Sequence, residues 1–525
     1  MNFKTFPYHP ILILIFQILS IASININEVS FGTIFYVLII FLIFTVFLFW
    51  VILYAMEQRI GAIIISLNIF LFFLYGRVLD YFIKNPIALI NLTRNRNLLP
   101  IFLCIMLVLS LYIFKNNRIQ NNLKLITKYL NQFSIGLVFV SIFTMGIHYD
   151  WTLVYKIKNF KGNEKKVELM SKLKTQTNLK NKLNPNIYFL IFDSYPNHRV
   201  LDHYYSFNDS GFVNNLISMG FNVNQNARSN YCFTGASINS TLSMRYLHLD
   251  SEFKTAYNQD NYIARFYSDN YVTNRLESEG YDIISNFNKE DKRFSYRKSL
   301  FLDDFVQLVI HLSMFRIIEN ELIVTQLRSE TQSKLQFLKE FDPGNKPVFV
   351  AMHIMVPHSP FIFLHDGSRP KYFESAFGKF EDKNKFIEQV RFTGYEIIKI
   401  LKNIKTHDPE AIIIVQADHG YGAEDDMKYL NRNSVAAAND MREQIPPSNY
   451  LDQRFGILNA IYSPISLGIR ASSTPVNLFR FIFNKIFNEN NKYLPDSSYF
   501  ALIKQPYLFH DITDSLNKVN MLQTD

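Results

Sequence analysis

The stretch TIFYVLIIFLIFTVFLFWVILYA, residues 33–55, runs for 23 residues without a charge. About 20 apolar residues in a helix cross the hydrocarbon core of a bilayer, whereas a surface helix of a soluble protein keeps a polar face. Further apolar stretches lie at roughly 8–26, 60–76, 98–114 and 133–150, so five membrane spans are expected in residues 1–150. The stretches 60–76 and 98–114 are short and can pair as a re-entrant unit. A cleaved signal peptide at 1–26 is disfavoured, because its apolar run is long and other spans follow it. Five spans would put the two ends of this region on opposite sides. Arg59, Lys115, Arg118, Lys124 and Lys128 fall on one side and Arg77, Lys84, Arg94 and Arg96 on the other, a distribution that leans toward a cytoplasmic N-terminus.

A formal charge of +9 raises the question of nucleic-acid binding, and its distribution answers it. Residues 1–150 hold 10 basic against 4 acidic residues, 151–186 hold 9 against 2, and 187–525 hold 35 against 39. The basicity belongs to the membrane region and to a Lys- and Asn-rich segment behind it, so no nucleic-acid partner is expected. That segment, 151–186, reads as a juxtamembrane linker with a partly helical stretch at 164–174. It is either a solvated tether or a patch drawn to anionic head groups by about 1 kcal/mol per nearby charge. With 49 Phe the chain is not disordered, and with only Cys104 and Cys232 it is not a disulfide scaffold.

From Ile187 the pattern changes to short apolar runs: IYFLIF (187–192), YDIIS (281–285), VFVAMH (348–353), AIIIVQA (411–417) and ILNAIYS (457–463). Runs that are apolar throughout fit strands covered on both faces of a parallel sheet. Amphipathic stretches at 209–219, 322–340 and 382–403 supply the covering helices. Residues 187–525 are therefore expected to form an α/β domain with a mostly parallel central sheet flanked by helices.

Three of these runs end in ionisable residues. IYFLIF leads into Asp193, AIIIVQA into Asp418 and His419, and VFVAM into His353 and then His358. Ligands of open α/β sheets bind beyond the carboxyl ends of the strands, so these groups should meet in one crevice as an oxygen-rich metal site. In SNYCFTGASINSTLSM (229–244), Thr234 opens a small-residue helical stretch. Its hydroxyl is either a simple N-cap or a nucleophile placed among free backbone N–H groups that can hold a phosphate or sulfate oxygen.

The pieces NIYFLIFDSYP, SNYCFTGASINSTLSMRYL, FVAMHIMVPHSPFIF, IIIVQADHG, ILNAIYSP, PVNLFRFIFNKIF and LPDSSYF stand in the order seen in the sulfatase-like branch of the alkaline phosphatase superfamily. The chain resembles membrane-anchored members similar to lipoteichoic acid synthases and lipopolysaccharide phosphoethanolamine transferases. This resemblance implies Asp193, Thr234, Asp418 and His419 as ligands of one divalent metal, with Thr234 also the covalent nucleophile. His358 would protonate the leaving group, and His353 is a second candidate. Manganese or magnesium would suit the oxygen-rich set, with zinc also allowed. Formylglycine maturation of Cys232 is disfavoured because Phe233, Thr234, Gly235 and Ala236 follow it instead of the C-x-P-x-R context. A paired Asp-Asp is also missing, since Phe192 precedes Asp193.

The implied activity is transfer of a phospho-substituent, of phosphoethanolamine or phosphoglycerol type, from a phospholipid donor to an envelope glycan or lipid acceptor. The implied location is a bacterial-type inner membrane with the catalytic domain outside the cytoplasm. The alternatives are a phosphodiesterase or sulfatase-type hydrolase using water, and a non-catalytic membrane assembly protein that keeps the fold. The sequence does not choose an oligomeric state.

Overall fold

A computed structural model describes residues 6–26, 29–54, 56–85, 92, 95–149, 184–247, 270–287, 303–370, 382–430, 445–502 and 505–522. The linker from 151 to 183, with its expected helix at 164–174, lies outside the described residues. The chain forms two compact units, one of Met1–Phe160 with Arg297–Gln326 and the other of Lys161–Tyr296 with Leu327–Asp525.

The first unit contains α1 (His9–Ile24), α2 (Phe31–Leu53), α3 (Gln58–Lys84), α4 (Asn95–Lys115) and α5 (Leu123–His148). Among the described residues four of them, α2 to α5, are long and apolar enough to cross a membrane, beside the shorter apolar helix α1, where five spans were expected. At 1.5 Å per residue the 16 residues of α1 reach only about 24 Å, short of a hydrocarbon core of about 30 Å. Leu14, Ile18, Ile21 and Ala22 of α1 pack instead against Ile34 and Val37 of α2 and Phe73 of α3. The His9 backbone N–H donates to Asn131 Oδ1 (3.0 Å), and its Nδ1 lies 2.6 Å from Ser66 Oγ. On the outside, Phe35, Phe47, Leu107 and Phe139 are exposed, as side chains facing lipid would be.

The third and fourth stretches do not form a short re-entrant pair, because α3 has 27 residues and α4 has 21. Helix α3 continues past Arg77 because Asp80 is paired, 2.7 Å from Arg316 Nη1 and 3.4 Å from His311 Nε2. Both partners come from the return segment Arg297–Gln326. Within it the helix Asp304–His311 buries Phe305, Val306, Val309 and Ile310 in the same core as α1, α2 and α3. Asp303 caps that helix by accepting from the N–H groups of Phe305 and Val306. The helix meets α3 at Gly76, where an added Cβ would stand 2.2 Å from the His311 carbonyl oxygen.

In the second unit, strands β1 (Ile187–Phe192), β2 (Asn222–Val223), β3 (Asp282–Ser285), β4 (Val348–Ile354), β5 (Ile412–Gln416) and β6 (Asn459–Tyr462) form one sheet, in the order β2-β6-β5-β1-β4-β3. β5, β1, β4 and β3 are parallel, as their unbroken apolar runs imply. β6 runs antiparallel to β5, and its half-exposed residues show why its pattern is weaker. Helices α6 (Thr234–Ser243), α7 (Lys383–His407), α8 (Ser448–Phe455) and α9 (Leu478–Ile486) complete the layers. Ile238 and Leu242 of α6 and Leu478, Phe479 and Ile482 of α9 cover Phe189, Ile191, Ile412 and Ile414.

Candidate active site

The three central strands β5, β1 and β4 are neighbours, so the residues at their carboxyl ends meet. His353 pairs in register with Ile191 on β1, two positions before Asp193. Its Nε2 lies 3.2 Å from Asp193 Oδ2 and 4.0 Å from Asp418 Oδ2. Ligand atoms of Asp193, His353 and Asp418 all fall within 4.8 Å of one another. His419 joins them, its Nε2 3.5 Å from Asp418 Oδ2 and 3.8 Å from Asp193 Oδ1. Thr234, the first residue of α6, places Oγ1 3.2 Å from the same Nε2. Thus Asp193, Thr234, Asp418 and His419 do come together, and His353 sits among the carboxylates. His358 stands further out, its ring centroid 6.4 Å from that of His419.

Local folding explains these positions. Ser194 turns the chain after β1 with φ +62°, a left-handed conformation that costs a non-glycine residue free energy. There its N–H donates to Asp418 Oδ1 (3.1 Å), its hydroxyl donates to Asp193 Oδ1 (3.0 Å), and its Oγ lies 3.1 Å from His419 Nδ1. The Gly420 carbonyl, 2.9 Å from His419 Nδ1, can only accept, so that nitrogen carries the proton and Nε2 is left bare toward Thr234 and the carboxylates. Gly420 itself must be glycine, because a Cβ there would lie 2.0 Å from the Gln453 carbonyl oxygen.

The donor set fits a cation. Asp418 Oδ2 and His353 Nε2 are buried and have no hydrogen-bond partner among the described residues, although such atoms are otherwise almost always paired. Burial would raise the Asp193 carboxyl, but the neighbouring His358 and His353, the latter also within hydrogen-bond reach, outweigh it and hold Asp193 well below the usual carboxylate range. Burial, reinforced by the Arg454 charge, pushes His419 down, toward the neutral form a metal ligand needs.

Arg454, on α8, was not singled out from the sequence. It is buried and donates through Nε and Nη2 to the Cys232 carbonyl (3.0 and 2.7 Å) and through Nη1 to Asp426 Oδ2 (3.0 Å) and the Gly420 carbonyl (3.3 Å). It therefore ties the loop before Thr234 to the loop that carries His419. Cys232 itself is buried and its thiol is pushed up to about 11 by burial, so it is a packed side chain and not a thiolate nucleophile.

No family model matches the chain, and no curated protein matches it. Several solved structures do. The C-terminal periplasmic domain of EcEptC from Escherichia coli is 11% identical, with 64% of this chain and 94% of that one covered at a TM-score of 0.37. The corresponding domain of phosphoethanolamine transferase EptC from Campylobacter jejuni is 12% identical, with 62% and 94% covered at 0.33. A putative sulfatase, yidJ, from Bacteroides fragilis is 12% identical, with 62% and 83% covered at 0.35. Likeness at this level assigns no activity to the chain.

Proposed function

We propose that this chain is a membrane-anchored metalloenzyme that moves a phospho-substituent, of phosphoethanolamine or phosphoglycerol type, from a phospholipid donor to an envelope glycan or lipid acceptor through a covalent Thr234 intermediate. The observation that carries this reading is a hydroxyl at the N-terminus of α6 beside two carboxylates and two imidazoles, with Asp418 Oδ2 and His353 Nε2 buried in ion-pair contact but without a hydrogen bond among the described residues. Asp193, Asp418, His419 and His353 would hold one divalent ion with Thr234 Oγ1 beside it. Two imidazoles make this set richer in nitrogen than the sequence reading, which favours zinc or manganese over magnesium. When bound, the ion lowers the pKa of the threonine hydroxyl and offsets charge on the phosphoryl oxygens.

Thr234 gives its hydroxyl proton to solvent, and its oxygen attacks phosphorus while free N–H groups at the start of α6 face the phosphoryl oxygens. The bond from phosphorus to the diacylglycerol oxygen breaks, and His358 supplies that oxygen with a proton. In the second half, His358 takes the proton of the acceptor hydroxyl as its oxygen attacks phosphorus, and Thr234 leaves and is reprotonated. His353, drawn in among the carboxylates, serves as a ligand in this scheme. The four long apolar helices keep the site at the surface of a bacterial-type inner membrane, on the side away from the cytoplasm.

The test is to incubate membranes with phosphatidylethanolamine or phosphatidylglycerol carrying a labelled head group. Label moving onto a glycan or lipid acceptor supports transfer, and release only into solution supports a hydrolase. Thr234→Ala should abolish both turnover and any phosphorylated peptide containing that position, and full activity in the variant overturns the mechanism.

A further inference from the structure

The loop that carries His358 has no regular secondary structure between the end of β4 and Ser368, yet Val356, Pro357, Ser359 and residues 361–363 of it are buried. Buried backbone N–H and C=O groups need partners, and an irregular loop cannot supply them all to itself. Arg328 serves the far part of the loop, donating to the Ile362 and Gly367 carbonyls, and a different side chain serves the part around His358. Gln389, on α7 and fully buried, donates through Nε2 to the carbonyls of Pro357 (3.1 Å) and His358 (2.8 Å). Its Oε1 accepts from the N–H groups of Ile362 (2.7 Å) and Phe363 (3.1 Å). Both ends of the amide are thereby used on one loop, as a neighbouring strand would use its backbone.

His358 is held from its other side by its own N–H, which donates to the Asp193 carbonyl (3.1 Å). Its Nδ1 lies 2.5 Å from the Ser359 carbonyl oxygen and so carries a proton, which leaves Nε2 as the atom free to meet substrate. The apolar side chains Phe361 and Phe363 anchor the loop against α7, Phe363 stacking on Phe392 at 4.2 Å between ring centroids. Those contacts bury the loop, but neither of them fixes the His358 peptide.

From this geometry we infer that Gln389 is a positioning residue, which sets the His358 imidazole at the distance required for proton transfer to and from the leaving and attacking oxygens. The inference rests on the phosphoryl-transfer reading above. Gln389→Glu keeps the shape and the two acceptor contacts but turns both donors into an oxygen facing two carbonyls. Gln389→Met removes all four contacts.

The test uses the full chain in detergent or nanodiscs, with two synthetic phosphodiesters that share the transferred group and differ in leaving group, 4-nitrophenol or an alkyl alcohol. Only the alkyl alcohol needs a proton as it departs. In single turnover, which reads only the first half-reaction, Gln389→Glu should slow release of the alkyl alcohol by roughly 100-fold, the scale of a misplaced catalytic group, with release of nitrophenolate little changed. His358→Gln should show the same selective loss, and the double variant should be no slower than His358→Gln alone. In Gln389→Met, hydrogen exchange at the Ile362 and Phe363 amides should quicken while the strands keep their protection. Equal loss on both esters, additive losses in the double variant or unchanged exchange overturns the assignment to Gln389. Absence of turnover of either ester by the unaltered chain, or full turnover in Thr234→Ala, overturns the phosphoryl-transfer reading instead.

Discussion

Asp418→Asn separates a metal site from a set of structural ion pairs, because the two predict opposite signs. In the folded chain Asp418 Oδ1 accepts from the N–H groups of Ser194 and His419, while Oδ2 makes no hydrogen bond among the described residues. An asparagine keeps the first role with its carbonyl oxygen and places an NH₂ where Oδ2 was. Two carboxylates whose oxygens lie within 4.8 Å repel by about 3 kcal/mol at an effective dielectric constant near 20. The substitution removes that repulsion, so the metal-free variant should unfold at the same temperature as the unaltered chain or higher. It also removes one charge from the donor set. At a metal concentration 1,000 times its Kd the unaltered chain gains about 4 kcal/mol from binding, and the variant should lose most of that gain. Calorimetric unfolding of the full chain in detergent, with chelator and then with zinc or manganese, reads both signs. If Asp418→Asn destabilises the chelated protein as much as the metal-loaded one, the carboxylate is a structural partner and the metal-site argument fails.

Gly420→Ala should fold poorly or lose metal-dependent stabilisation, since its Cβ would collide with the Gln453 carbonyl, and near-normal metal binding would contradict the tight packing of that loop. Iodoacetamide at pH 8 should spare Cys232 in the folded chain, since its thiol is buried and pushed up to about 11, and label it once the chain is unfolded; mass spectrometry of the peptide decides, and Cys232→Ala should keep turnover. His311 is raised above its usual pKa chiefly by its hydrogen bond to Glu319, against burial. A raised pKa contributes stability that is complete below the unfolded value near 6.5 and is lost as pH rises through the folded value. Hydrogen exchange in the helix Asp304–His311 should therefore quicken above neutral pH, and His311→Gln should flatten that dependence.

The strands were legible because parallel strands covered on both faces leave long apolar runs, and Asp193, Asp418 and His419 because they follow those runs directly. The role of His353 was not, since VFVAMHIMVPH offers two histidines and only its register against Ile191 shows which one reaches the carboxylates. Ser194, Gln389 and Arg454 carried no signal. Their contacts go largely to backbone atoms or to residues more than 200 positions away, which composition and spacing do not report. The extent of α3 was missed for an electrostatic reason. Arg77 and Asp80 look like the end of a span until Arg316 and His311, more than 200 residues later, are seen to pair with Asp80.

Because Arg297–Gln326 belongs to the first unit while the residues on either side of it belong to the second, the polypeptide passes between the units three times. One proteolytic cut in the basic linker leaves the metal-site unit covalently joined only to that insert, so its hold on the long apolar helices then rests on the packing of Phe305, Val306, Val309 and Ile310. A secreted fragment beginning at Asn184 would carry Phe305, Val306, Val309 and Ile310 stripped of the helices that cover them, and should aggregate unless that insert is replaced by a short polar bridge.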